Sequence, residues 1–322
     1  MSTELFPGLR PFRRDEADIF FGRESVIDEM VSRLAAHRFL AFTGTSGSGK
    51  SSLVFTGLLD ALELGLLARA GSDWTFAQFR PGSRPLRALA ESLIKSTEAE
   101  RFDHDALLLE AALSRGPAGL LQWLDEAHLP PRNNLLLLVD QFEELFRYRG
   151  VEIADTGSTD LDEARQRHAW EEVASSFIDV LVGAAAAPDR RIYVVLTMRS
   201  DYLGECAQFA GLAEAINRGQ FLTPRLTRDQ LADAVTGPIK VYDGVIEPAL
   251  VNRVLNEMGN DPDQLPLMQH AMMRMWRRAK EEQTGPTRLT EADYDAWIGG
   301  LKVALSAHAT EVLQSLPGDD QA

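Results

Sequence analysis

Residues 44–52 read Gly-Thr-Ser-Gly-Ser-Gly-Lys-Ser-Ser, and Gly44 through Ser51 satisfy the spacing G-x-x-x-x-G-K-[ST]. Glycines at 44, 47 and 49 let the backbone turn tightly enough for successive N–H groups to face one anion. Lys50 adds a point charge suited to the β- and γ-phosphate oxygens, and Ser51 a hydroxyl suited to Mg²⁺. An apolar run, Phe39 to Thr43, enters the loop as a strand, and Ser51 to Glu63 leave it with helical character, so a helix N-terminus adds positive potential. The stretch is read as a phosphate cradle made by Gly44, Thr45, Ser46, Gly47, Ser48, Gly49, Lys50, Ser51 and Ser52. A dinucleotide fingerprint, G-x-G-x-x-G, fails because Ser stands at 52.

Two further constellations suit the same chemistry. Leu135 to Val139 is a continuous apolar run that ends in Asp140, which places a carboxylate at the carboxyl edge of a buried strand, where it can hold Mg²⁺. Gln141-Phe142-Glu143-Glu144 follows, and either glutamate has the reach to orient or deprotonate a water. First-turn acids also favour a helix N-terminus on their own account. Ile192 to Thr197 is a second apolar run, ending in Met198-Arg199-Ser200-Asp201. Arg199 at that strand end is placed to stabilise a γ-phosphate, or to close a turn with Asp201.

The elements that must position these groups alternate short apolar runs with longer amphipathic stretches, the α/β pattern. Strands are expected at 39–43, 74–79, 135–139, 192–197 and 220–222. Helices are expected near 50–64, 84–97, 105–114, 117–127 and 167–186, giving a parallel five-stranded sheet covered on both faces. Gly150 to Asp162 reads as a polar loop. After Pro224 the strand signal stops, and 227–237, 247–258, 264–282 and 290–314 read as helices. The expected organisation is therefore a P-loop nucleotide-binding domain over 1–224 and a small all-α lid domain over 225–322. Met268, Met272, Met275 and Trp276 recur at helical spacing and are read as the core face of a lid helix.

The composition bounds the partners. Of the 322 residues 48 are Asp or Glu and 33 Lys or Arg, a net charge of −15, which repels phosphate backbones and argues against general nucleic-acid binding. One cysteine makes no internal disulfide, and the six histidines never fall at metal-ligand spacing, so no zinc site is expected. No apolar run is long enough to cross a membrane, and the N-terminus lacks the layout of a signal peptide; a cytoplasmic protein is expected.

Taken in order, these residues resemble the STAND class of P-loop NTPases, and within it the first of the novel STAND families of bacterial signalling and defence proteins. The resemblance starts at Pro7 to Glu24 (PGLRPFRRDEADIFFGRE), passes through GTSGSGKSS, LLLLVDQFEELF and VVLTMRSDYL, and reaches Leu265-Pro266-Leu267 before MQHAMMRMW. It implies that Phe21, Gly22 and Arg23 lie against adenine and ribose, that Arg199 is the first sensor arginine, and that Pro266 touches the base. It also implies an ATP-driven switch: closed with ADP, oligomeric and signalling with ATP, and reset by slow turnover, as in antiviral defence. Family members continue into a winged helix and then sensor or effector modules; the start of a truncated winged helix is expected near the end of these residues. ATP is preferred to GTP because no N-K-x-D segment is present. Two alternatives are an AAA+-type DNA-associated loader or transposition ATPase, against which the acidic charge counts, and an interaction scaffold stabilised by nucleotide.

Overall fold

The computed structural model describes residues 4–97, 102–127, 133–147, 160–259, 264–283, 285–301 and 303–304. Five parallel strands form one sheet: β1 (Phe39–Gly44), β2 (Trp74–Phe79), β3 (Asn134–Val139), β4 (Ile192–Arg199) and β5 (Gln220–Leu222), in the spatial order β2-β3-β4-β1-β5. β1 and β3 are buried at every position, because helices cover both faces of the sheet's centre, and this is why they read as unbroken apolar runs. β2 lies at an edge and its burial alternates with the pleat. All five strands stand where the sequence places them, and the register sets Gly44 opposite Arg199 and Val139 opposite Leu196.

Helices α1 (Glu24–His37), α2, α3 (Pro85–Ser96), α4 (Phe102–Leu113), α5 (Pro117–Glu126), α6 (Glu144–Arg147), α7 (Asp160–Ala186) and α8 (Leu212–Gly219) connect the strands. α2 is continuous from Lys50–Ser52 through a π turn at Leu53–Leu58 to Leu59–Glu63. α3 shows why such segments are helical: Pro85 pre-sets the first turn, and Leu86, Leu89, Ala90, Leu93 and Ile94 fall on one buried stripe. Of the polar stretch 150–162, residues 160–162 open α7; the rest lies outside the described residues. α1 and α8 are additions to the expected helices.

The chain groups into two compact units, each built from separated segments. One comprises Asp28–Thr45 and Ala61–Thr223; the other comprises Met1–Ile27, Ser46–Asp60 and Pro224–Ala322. The first contains the sheet, and its core runs from the strands into α3, α4, α5 and α7, with Phe79, Phe142 and Phe177 in mutual ring contact. The second contains α9 (Arg228–Val241), α10 (Pro248–Met258), α11 (Gln264–Glu282) and α12 (Glu291–Trp297). Its core joins Leu5 and Phe6 to Val235, Leu250, Met268, Met272, Met275, Trp276 and Tyr294. The methionine and tryptophan stripe of α11 is thus core.

α9 and α12 each begin with a capping box, Thr227 with Gln230 and Thr290 with Asp293. Two two-residue strands, β6 (Val245–Ile246) and β7 (Arg288–Leu289), pair in parallel among these helices, too short to leave a period in the sequence. α12 ends at Trp297, Gly299 and Gly300 follow with φ of +72° and +117°, and 301, 303 and 304 are helical again; of the expected 290–314, residues 302 and 305–314 lie outside the described residues. The expected beginning of a winged helix, near the end of these residues, lies outside the described residues.

Candidate functional site

The phosphate loop leaves β1 at Gly44, which is buried, and passes through Thr45 and Ser46, both exposed. Gly47 and Gly49 have φ of +71° and +84°, the left-handed region that glycine enters without strain, and these are the positive-φ positions of the motif. Ser48 between them is buried, and Lys50 and Ser51 open α2, half-buried. Ser52 accepts a hydrogen bond from the Phe12 N–H at 3.1 Å, and one turn later Thr56 donates to the Arg13 carbonyl at 3.1 Å. The segment 12–13 is thereby fastened along the loop's helix.

The Phe21-Gly22-Arg23-Glu24 element belongs to the same unit. The Phe21 ring lies on Gly237 of α9, where an added Cβ would come within 2.4 Å of it. Gly22, at φ +84°, passes the Gln230 carbonyl so closely that a Cβ would sit 2.3 Å from it; its N–H donates to Glu24 Oε1 at 3.0 Å. Arg23 is 5% exposed and donates to two carbonyls, Pro224 at 2.7 Å and Ser48 at 3.2 Å. Burial draws its guanidinium down to about 10, which leaves it charged at neutral pH. Pro266 stands in the first turn of α11, half-buried.

At the carboxyl edge of the sheet, Asp140 is 2% exposed. Its Oδ1 accepts from the Thr197 hydroxyl at 2.6 Å, and Arg80 Nε stands 3.4 Å from its Oδ2. Gln141 follows at φ +55°, and its N–H donates to the same Thr197 oxygen at 3.0 Å. Thr197 therefore holds the acid and the turn behind it at once. Buried Glu143 accepts from the Arg199 N–H at 3.2 Å, and Glu144 from the Gly82 N–H at 3.3 Å. The Gln141 amide, oriented to satisfy its neighbours, donates to Glu144 Oε1 and accepts from Arg80 Nη2, each at 3.1 Å.

Arg199 projects from the end of β4 into an ion pair with Asp201 at 2.7 Å, over the Tyr202 ring at 5.7 Å. The hydrogen bond from Arg199 to Asp201 raises its pKa. The structure thus gathers Asp140, Glu143, Glu144, Arg199 and Gly44 along one edge of the sheet. It gathers Arg23 with Ser48, and Phe21 and Gly22 with α9. The strand of Asp140 is separated from β1 by β4.

Thr197, Arg80 and Gln141 were not singled out by the sequence. Thr197 had a readable signal, since it is the only aliphatic hydroxyl in IYVVLTMR, and a buried hydroxyl needs a partner. Arg80 and Gln141 had none, because Arg80 meets Asp140 from 60 residues away and Gln141 meets Thr197 from 56.

Taken singly, the buried Asp140 carboxylate and the Ser51 hydroxyl at a helix start are oxygen donors of the type that hard divalent cations accept. Among the described residues no group of three or more His, Cys, Asp or Glu is placed to hold a metal without such help. No helix among them is long and apolar enough to cross a membrane.

Comparison with solved structures finds the same fold in three archaeal proteins. The Aeropyrum pernix ORC2 protein, in its ADPNP–ADP complexes, is 15% identical, with 98% of this chain and 74% of that chain covered and a TM-score of 0.54. CDC6p from Pyrobaculum aerophilum is 15% identical, with 97% and 73% covered and a TM-score of 0.53. The Aeropyrum pernix ORC1 protein in complex with DNA is 13% identical, with 94% and 71% covered and a TM-score of 0.57. Curated proteins give no match to the chain. At such identities the likeness is one of fold. The family description Novel STAND NTPase 1, however, matches residues 6–322, from the buried Phe6 through the phosphate loop, Asp140 and α11. With that match spanning both units, the chain belongs to the novel STAND NTPase 1 family of P-loop NTPases.

Proposed function

We propose that the chain is an ATP-binding, slowly hydrolysing signalling switch that couples nucleotide state to conformation and oligomerisation. The observation that carries this reading is the loop itself: GTSGSGKSS at a strand-to-helix junction, with Gly47 and Gly49 turned left-handed and Lys50 and Ser51 opening the helix. In this reading residues 1–224 form the nucleotide-binding domain and 225–322 its helical lid. The N–H groups of 44–52 and Lys50 hold the phosphates, and Ser51 and Asp140 hold Mg²⁺. Mg²⁺ supplies charge neutralisation of the β- and γ-phosphates when bound.

The residues of the chain do the rest. Thr197 keeps Asp140 Oδ1 in one orientation, and Oδ2 faces Arg80 Nε at 3.4 Å. Glu143 or Glu144 orients the attacking water and takes its proton; each carboxylate is held by a backbone N–H at a strand or loop end. Arg199 senses the γ-phosphate after giving up Asp201. The backbone at Phe21, Gly22 and Arg23, together with Pro266, borders the base and ribose. The partners are nucleotide, sensor or effector proteins, and further copies of the chain in the ATP state, in the cytoplasm, with a role in defence.

Single-turnover hydrolysis by the wild type, Glu143→Gln and Glu144→Gln tests the catalytic assignment, with native mass under ATP and under ADP to follow assembly. One glutamine variant should retain ATP and stop releasing phosphate. Phosphate release by both at the wild-type rate refutes the water-orienting role. Equal mass with ATP and ADP refutes the switch. A DNA-associated role is a second reading, favoured by the likeness in fold to the ORC1 protein solved with DNA. The charge of −15 opposes it, and an absence of duplex binding at low salt would eliminate it.

A further inference from the structure

Arg23 is a buried cation whose partners are carbonyl groups. Nη1 donates to Pro224 O at 2.7 Å and Nη2 to Ser48 O at 3.2 Å, and desolvation is the one influence on its pKa among the described residues. Glu24, the next residue, turns its carboxylate to the Gly22 N–H instead. A charge buried without an ionic partner is costly, and an apolar side chain would fill the same space without that cost. The guanidinium must therefore hold something that packing alone would not.

What it holds is one peptide of the phosphate loop. Ser48 lies between the two left-handed glycines, and the peptide joining it to Gly49 is trans, so its C=O and N–H point in opposite directions. Drawing the Ser48 carbonyl toward Arg23 turns the Gly49 N–H to the opposite side. A cradle of N–H groups needs that donor to face the anion. The other arm of the guanidinium holds Pro224, 201 residues away in the chain, where the segment leading into α9 begins.

We propose that Arg23 is a positioning residue of the phosphate loop, whose side chain clamps the Ser48 carbonyl to the Pro224 carbonyl, aims the Gly49 N–H at a bound polyphosphate, and makes no contribution to recognition of the base. The inference rests on the nucleotide reading above. It also divides the work of the Phe-Gly-Arg-Glu element, leaving the base to Phe21 and the backbone.

The test is calorimetric titration of Mg-ATP, Mg-tripolyphosphate and adenosine into the wild type, Arg23→Met and Arg23→Lys. Methionine keeps the apolar volume; lysine keeps the charge but reaches only one carbonyl. Arg23→Met should bind both ATP and tripolyphosphate at least about tenfold more weakly, as for loss of a charge-assisted hydrogen bond, with adenosine unchanged. Arg23→Lys should fall between. The Gly49 amide resonance should shift on adding tripolyphosphate to the wild type and shift less in either variant. If Arg23→Met does not fold, the lysine variant carries the test, with a loss of about threefold or more for tripolyphosphate. ATP weakened with tripolyphosphate unchanged would assign Arg23 to the base and overturn the proposal, as would full affinity for both. Failure of the wild type to bind either ligand would instead sink the nucleotide reading itself.

Discussion

Replacing Thr197 with valine tests whether one hydroxyl organises the catalytic edge of the sheet. Thr197 is 1% exposed, and its oxygen serves two groups: it donates to Asp140 Oδ1 at 2.6 Å and accepts from the Gln141 N–H at 3.0 Å. Valine has nearly the same shape, so no cavity opens and the loss is polar. A hydrogen bond to a buried carboxylate contributes about 2 kcal/mol, and a stranded buried N–H costs about 1–2 kcal/mol, giving roughly 3–4 kcal/mol in all. Gln141 adds to the strain, because a non-glycine residue at φ +55° relies on its surroundings to stay there.

The assay is equilibrium unfolding in urea, paired with amide exchange at Gln141 as a local reading and with Thr197→Ser as the control that keeps the hydroxyl. Valine should lower stability by about 3 kcal/mol and expose the Gln141 amide to exchange, while serine costs about 1 kcal/mol for its lost methyl. A valine effect below about 1 kcal/mol, or a serine effect as large as that of valine, would refute the reasoning.

Three other outcomes follow from single residues. For Lys50→Ala, ATP at a hundred times the wild-type Kd should give none of the roughly 2.7 kcal/mol of stabilisation expected for the wild type, as read from the thermal midpoint. Gly22→Ala places a Cβ 2.3 Å from the Gln230 carbonyl at φ +84° and should cost about 3 kcal/mol, measured by chemical denaturation. Burial pushes the Glu257 carboxyl up, but hydrogen bonds from the Leu301 N–H, Arg253 and Tyr294 outweigh it and hold its pKa below the ordinary value. Its stabilisation is therefore complete above the unfolded carboxylate range, about 4.3, and fades as pH falls through the folded value. Glu257→Gln should be less stable at neutral pH, and a pH series of unfolding midpoints should show the gap closing in acid.

Much of this architecture was legible because buried parallel strands must be apolar throughout and because a phosphate loop has few alternative sequences. The five strands, Asp140 at a strand end and the core stripe of α11 all follow from those two constraints. α1 and α8 were not anticipated, although Val26, Met30, Val31 and Leu34, and Leu212, Ala215 and Ile216, repeat at helical spacing and are buried. β6 and β7 carry two residues each, too few for any period. Partnerships made across the chain leave no local trace either: nothing near Arg80 announces Asp140, and nothing near Arg23 announces Ser48 or Pro224. Side chains can be assigned to a site by type and spacing, but the backbone atoms they hold become visible only when the fold is known.

The threading of the second unit through three segments has a consequence during synthesis. Leu5 and Phe6 are made before the rest of their core, which begins at Val235 roughly 230 residues later, a delay of roughly 12–46 s at about 5–20 residues per second. The sheet-bearing unit is complete once Thr223 has been added, so it can fold while those two apolar residues still wait. The Ser48 carbonyl, too, meets only half of its clamp until Pro224 arrives. A chain halted between Pro224 and Val235 would thus carry a finished sheet with Leu5 and Phe6 still unburied, a species prone to aggregate and open to chaperone capture.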